Sequence, residues 1–169
     1  MDGVPGDPFD EDKTRQVMRF DVVADAPDPS SVPADLRPLP DIRPDQAVAR
    51  RSFEFARSGG EWTINDEIFD ENRIDARPRL GTTEIWRFEN GGGGWWHPIH
   101  VHLVEFLILN RTRRPLHAYE RGPKDTVFLR GGETATVVIK WESFRGLYVM
   151  HCHNVEHEDH DMMTNIQVV

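Results

Sequence analysis

The sequence is poorest in cysteine, with one residue, Cys152, among 169. A single thiol excludes an internal disulfide, and cysteine usage is silent about redox compartment. Long hydrophobic runs are also missing. No stretch approaches the roughly 20 apolar residues that a membrane-spanning helix needs. The opening MDGVPGDPFDEDK is acidic and lacks the basic-then-apolar order of a secretory signal. Positive charge is in deficit, with 20 Lys and Arg against 29 Asp and Glu, a formal −9. That balance argues against nucleic acid and anionic membrane surfaces as partners. No internal repeat is visible, and no segment has a convincing helical period. The length is enough for one domain with a real core and some extra at an end.

Two regions differ in character. Residues 1–45 are rich in Pro and Asp and poor in periodic pattern. Within them RQVMRFDVV (residues 15–23) is a short strand candidate with no local partner, followed by the proline-punctuated ADAPDPSSVPADLRPLPDIRP. Each proline fixes φ, removes a donor and biases its predecessor away from helix, so this segment reads as an extended linker. Residues 1–45 are expected to be the tail of a preceding domain plus a linker, or an extension draped on the surface. From residue 46 onward, short runs rich in β-branched and aromatic residues alternate with glycine turn signals. EIWRFE alternates with period two, and VHLVEFLIL is nearly continuous, as a central strand buried on both faces would be. Seven or eight such runs predict an all-β domain over 46–169, a Greek-key β-sandwich or small barrel.

Six of the eight histidines fall in two tight groups, HPIHVH (His97, His100, His102) and HCHNVEH (His151, His153, His157). Burying several imidazoles without partners is costly, so the clustering points to metal. Strand alternation puts His100 and His102 on one face, and His151 and His153 on one face, so four imidazoles can converge. Cys152 then points the opposite way, to a second site with His157, Met162 and His97. Two imidazoles, a thiolate and a weak thioether suit copper in electron transfer. Zinc normally takes more thiolates or keeps a water position. Of the remaining candidates, His160 and His117 read as surface residues and Met163 as packing. Asp125 reads as a turn residue or as a carboxylate that orients an imidazole.

HPIHVH followed by HCHNVEHEDHDMM resembles the C-terminal copper-binding pattern of the multicopper oxidases, most nearly the bilirubin oxidase and spore-coat laccase branch. The resemblance covers about residues 46–169 and implies a cupredoxin fold. RQVMRFDVV and its linker resemble the last strand of that family's middle domain and the connector behind it. The resemblance makes His97, Cys152 and His157 the strong ligands of type 1 copper, with Met162 axial. It makes His100 a type 2 ligand, and His102, His151 and His153 ligands of the type 3 pair. It places Glu158 where related oxidases feed protons to oxygen, and Trp95 on the substrate side of type 1 copper.

The family's trinuclear centre takes eight histidines, half of them from two HxH motifs in an N-terminal domain. This sequence has only His100-Val101-His102 and His151-Cys152-His153 in that form. The expected protein is therefore the C-terminal part of a laccase-like oxidase that needs N-terminal cupredoxin domains in cis or trans. Its co-substrates are a small organic reductant and O₂. Two rival readings are a stand-alone electron-transfer cupredoxin using type 1 copper alone, and a metal-binding cupin barrel suggested by HVHLVE. The cupin reading leaves Cys152 and Met162 without a role.

Overall fold

The computed structural model describes residues 18–34 and 38–169. The chain divides into two units, Met1–Pro38 and Leu39–Val169. The described residues of the first unit form neither strand nor helix. The strand expected over 15–23 is thus missing from residues 18–23, while Arg15, Gln16 and Val17 lie outside the described residues. An extended segment becomes a strand only where a neighbour takes its N–H and C=O groups. Met18, Phe20, Val22 and Val23 are all exposed.

The second unit is built from nine strands: β1 (Ala47–Ser58), β2 (Glu61–Ile64), β3 (Thr83–Asn90), β4 (His97–Val101), β5 (Phe106–Arg111), β6 (Thr126–Leu129), β7 (Thr134–Lys140), β8 (Gly146–Cys152) and β9 (Met163–Val168). One α-helical turn, α1 (Val155–Glu158), interrupts them. The strands form a five-stranded sheet, β2-β1-β3-β7-β5, and a four-stranded sheet, β6-β4-β8-β9. β1 and β3 run parallel, and the remaining neighbours are antiparallel. Alternation sends Phe53, Phe55, Trp86 and Phe88 from the first sheet and Ile99, Leu129, Met150 and Cys152 from the second into one shared core. This is the expected all-β sandwich.

One expectation fails. VHLVEFLIL is two strands in different sheets, β4 and β5, and β5 is an edge strand of alternating burial. Leu103 takes φ 84°, which lies outside strand space and turns the chain out of one sheet toward the other. His102 therefore sits on a turn. The strand closest to burial on both faces is β3, whose first four residues are all buried. There Glu84 accepts from Arg51 at 2.7 Å and from the Trp86 indole at 2.8 Å.

A buried ionic cluster braces the sheets behind β5. The Arg111 side chain is fully buried, donates to Glu133 at 3.0 Å, and also reaches Glu120 and the Phe128 carbonyl. Arg114 donates to Glu120 at 2.6 and 2.8 Å, and that hydrogen bonding holds the Glu120 carboxyl down to about 2. Removing the central cation strands buried carboxylates. Arg111→Ala is therefore expected to cost about 3–5 kcal/mol, read as a lower urea midpoint at unchanged slope. A loss under about 1 kcal/mol would mean the cluster contributes no more than a surface pair.

Candidate metal centre

β4 and β8 lie side by side, with Ile99 opposite Cys152 and His100 opposite His151. Alternation then separates two donor sets on the two faces of this sheet. His97 and Cys152 turn into the core, while His100 and His151 take the other face. The odd spacing from His97 to His100, and the adjacency of His151 and Cys152, produce this split.

The inner set is His97, Cys152 and His157, all buried. Cys152 Sγ lies 3.5 Å from Nδ1 of His97 and 3.5 Å from Nδ1 of His157, and the two Nδ1 atoms are 3.2 Å apart. A point equidistant from the three lies about 2 Å from each, the length of a metal bond to imidazole nitrogen and a little less than one to thiolate. Nε2 of His97 is buried without a partner, so the only polar engagement of that ring is through Nδ1. Burial, then the neighbouring His157, lowers the His97 pKa to about 3. Burial, then Arg57 and His160, lowers that of His157 to about 4. Both rings are neutral and hold a lone pair at pH 7. Burial pushes the Cys152 thiol up to about 12, so without a cation it keeps its proton.

Local structure places the third ligand. Asn154 caps α1, its side chain accepting from the Glu156 N–H at 3.2 Å, and the turn swings His157 back over Cys152. Met162 is fully buried. Its carbonyl accepts from the Cys152 N–H at 3.0 Å, and its own N–H donates to the His157 carbonyl at 2.9 Å. Met163 pairs with His151 across β8–β9 and is only partly buried.

The outer set is His100, His102 and His151. Nε2 of His102 and Nε2 of His151 are 3.1 Å apart. The His100 Nδ1 donates to the Asp125 carbonyl at 3.0 Å, and the His151 Nδ1 to the Cys152 carbonyl at 3.2 Å. A carbonyl only accepts, so both rings carry the proton on Nδ1 and turn a bare Nε2 outward. Asp125 thus meets the His100 imidazole through its backbone carbonyl and, by way of the Thr126 hydroxyl 3.1 Å from His100 Nδ1, through its carboxylate. Burial lowers the pKa of both His102 and His151, which keeps them neutral. His153 is more exposed, its ring 5.6 Å from that of His100 and 5.3 Å from that of His151. Glu158 Oε2 stands 3.6 Å from His151 Nδ1 and 3.9 Å from His153 Nδ1.

Trp95 meets the His157 ring edge-on at 5.4 Å. His160 is exposed and bonded to the Glu156 carbonyl, while His117 caps a 3-10 turn and stacks on Tyr119. Sequence reasoning passed over Trp62 of β2, whose indole lies flat on His157 with centroids 3.7 Å apart. Its only signal was a tryptophan just after a Gly-Gly turn, far from either histidine group in the chain.

Comparison with known proteins gives one consistent answer. A family model described as multicopper oxidase matches residues 41–169. The chain is 46% identical over 166 residues to bilirubin oxidase of Albifimbria verrucaria, covering 94% of this chain and 29% of that protein. It is 32% identical over 157 residues to a laccase of Bacillus stratosphericus, covering 79% of this chain and 30% of the laccase. The crystal structure of the McoA multicopper oxidase from Aquifex aeolicus superposes with a TM-score of 0.74 at 28% identity. That match covers 82% of this chain and 33% of McoA. The chain therefore spans about a third of the length of the relatives it matches.

Proposed function

Because the chain belongs to the multicopper oxidase family, we propose that it acts as the electron-accepting copper domain of a laccase-like or bilirubin-oxidase-like enzyme. The observation that carries this reading is two donor sets on opposite faces of one sheet, joined by the His151-Cys152-His153 backbone. His97, Cys152, His157 and Met162 would hold type 1 copper. His100 would hold type 2 copper, and His102, His151 and His153 the type 3 pair. Copper, when bound, supplies one-electron redox chemistry at the inner set and oxygen reduction at the outer one.

The chain's own groups prepare both places. Buried, neutral imidazoles and a triangle of two Nδ1 atoms and one Sγ suit a soft cation at the inner set. Nδ1–H bonds to backbone carbonyls fix His100 and His151 with Nε2 free. Glu158, exposed on one side and beside His151 and His153 on the other, fits a carrier of protons toward the outer set. Trp95 would flank a small organic reductant near His157. The outer set and His153 together offer four imidazoles where the family's centre takes eight, so further cupredoxin domains in cis or trans would complete it. A stand-alone electron-transfer role leaves these four without a purpose.

Copper loading tests the reading. The chain is expected to bind copper at the inner set with an intense blue thiolate-to-copper absorption. A colourless copper-loaded protein would refute the type 1 assignment.

A further inference from the structure

Trp62 meets both imidazoles of the inner set. Its stack on His157, with 29° between the planes, is the shortest ring separation among the described residues. The same indole meets His97 edge-on at 6.0 Å and Trp95 edge-on at 5.6 Å, and the Arg57 guanidinium lies 5.1 Å from its centroid. Elsewhere the His157 ring meets Cys152 and His97 at Nδ1 and Trp95 edge-on, so Trp62 alone covers its face. His157 sits on a four-residue helical turn, and its Nε2 reaches only the Asn154 amide at 3.4 Å, long for a hydrogen bond.

The other neighbourhood of Trp62 is an open cleft. The cleft, of about 140 Å³, is lined by Glu61, Trp62, Ile68, Phe69, His160 and Asp161. His157 does not line it. The half-buried indole therefore stands between this polar cleft and a fully buried imidazole.

We propose that Trp62 is a positioning residue of the type 1 copper site, whose indole fixes the plane of His157 and keeps the cleft's water away from it. This rests on the copper reading above. Ring orientation governs the overlap between imidazole and metal, and the apolar shell governs the dielectric and hence the reduction potential. Water stabilises the more highly charged cupric form. Opening the wall therefore lowers the potential.

The test uses the full chain loaded with copper, comparing wild type with Trp62→Leu, Trp62→Met and Trp62→Phe. The readouts are the blue band, the copper hyperfine splitting and a redox titration against a mediator. Trp62→Leu and Trp62→Met are expected to shift the band and move the reduction equilibrium about tenfold toward the cupric form, about 59 mV for one electron. Trp62→Phe, which keeps an aromatic face, is expected to restore at least half of that shift. Two non-aromatic variants guard against one of them failing to fold. A blue Trp62→Leu or Trp62→Met protein with wild-type spectrum and potential overturns the proposal, as does Trp62→Phe displaced as far as the leucine variant. If wild type itself takes up copper without a blue band, the copper assignment has failed first, and the two failures are told apart by that control.

Discussion

Cys152→Ser is expected to abolish the blue absorption of the copper-loaded chain while leaving the metal-free fold in place. Cys152 is the sole thiol in the sequence, so no other residue can supply a thiolate-to-copper transition. Changing a residue that merely orients a ligand costs about 10–100-fold in metal affinity. Losing a ligand outright should cost more, so copper retention at the inner set is expected to fall by at least about 100-fold. The fold is a separate matter. A serine hydroxyl in this buried position costs about 1–3 kcal/mol if unpartnered, but two neutral Nδ1 acceptors lie around the sulfur position at 3.5 Å. The metal-free variant should thus unfold within about 1–2 kcal/mol of wild type. Protons give a second readout. With the thiol pushed up to about 12, and His97 and His157 lowered to about 3 and about 4, only the thiol holds a displaceable proton near pH 7. Wild type is then expected to release one proton per copper in unbuffered titration, and affinity rises with pH accordingly. A Cys152→Ser variant that stays blue would remove Cys152 from the site.

Much of this site was legible because it rests on local parity. The step of one from His151 to Cys152 and the step of three from His97 to His100 fix opposite faces wherever the backbone is extended. The separation of His97 and Cys152 from His100 and His151 follows from that alone. The chain turn at Leu103 was not legible, since a leucine at positive φ carries no local signal and VHLVEFLIL reads as one strand. His102 still reaches His151 because the turn, and not strand alternation, returns its ring to the outer face. Trp62 was hidden for a different reason. Its stack on His157 joins β2 to α1, and only the pairing of sheets brings positions so far apart together. Asp125 was found by type, although the backbone carbonyl by which it also meets His100 offers no sequence signature.

Oxygen turnover is expected to be at background for the chain alone and to appear on joining it with cupredoxin domains that bring two further HxH motifs. The argument is one of ligand count. The proposed inner site has three close donors, and Met162 is buried. The outer set presents Nε2 atoms of His102 and His151 at 3.1 Å, with His100 and His153 beside them and no further imidazole among the described residues in contact. On the proposed reading, four imidazoles would leave a polynuclear centre half-ligated, so the chain alone would be reduced without passing electrons onward. Reconstituted protein should consume O₂ with a phenolic donor at about 10 s⁻¹, a typical enzymatic rate. His102→Ala provides the discriminating control. It lies outside the inner set, so its blue band should persist, while turnover falls by more than about 100-fold for loss of a ligand. Robust turnover by the chain alone would show that four imidazoles suffice. Turnover unaffected by His102→Ala would show that oxygen is reduced somewhere other than the outer face of the β4–β8 sheet.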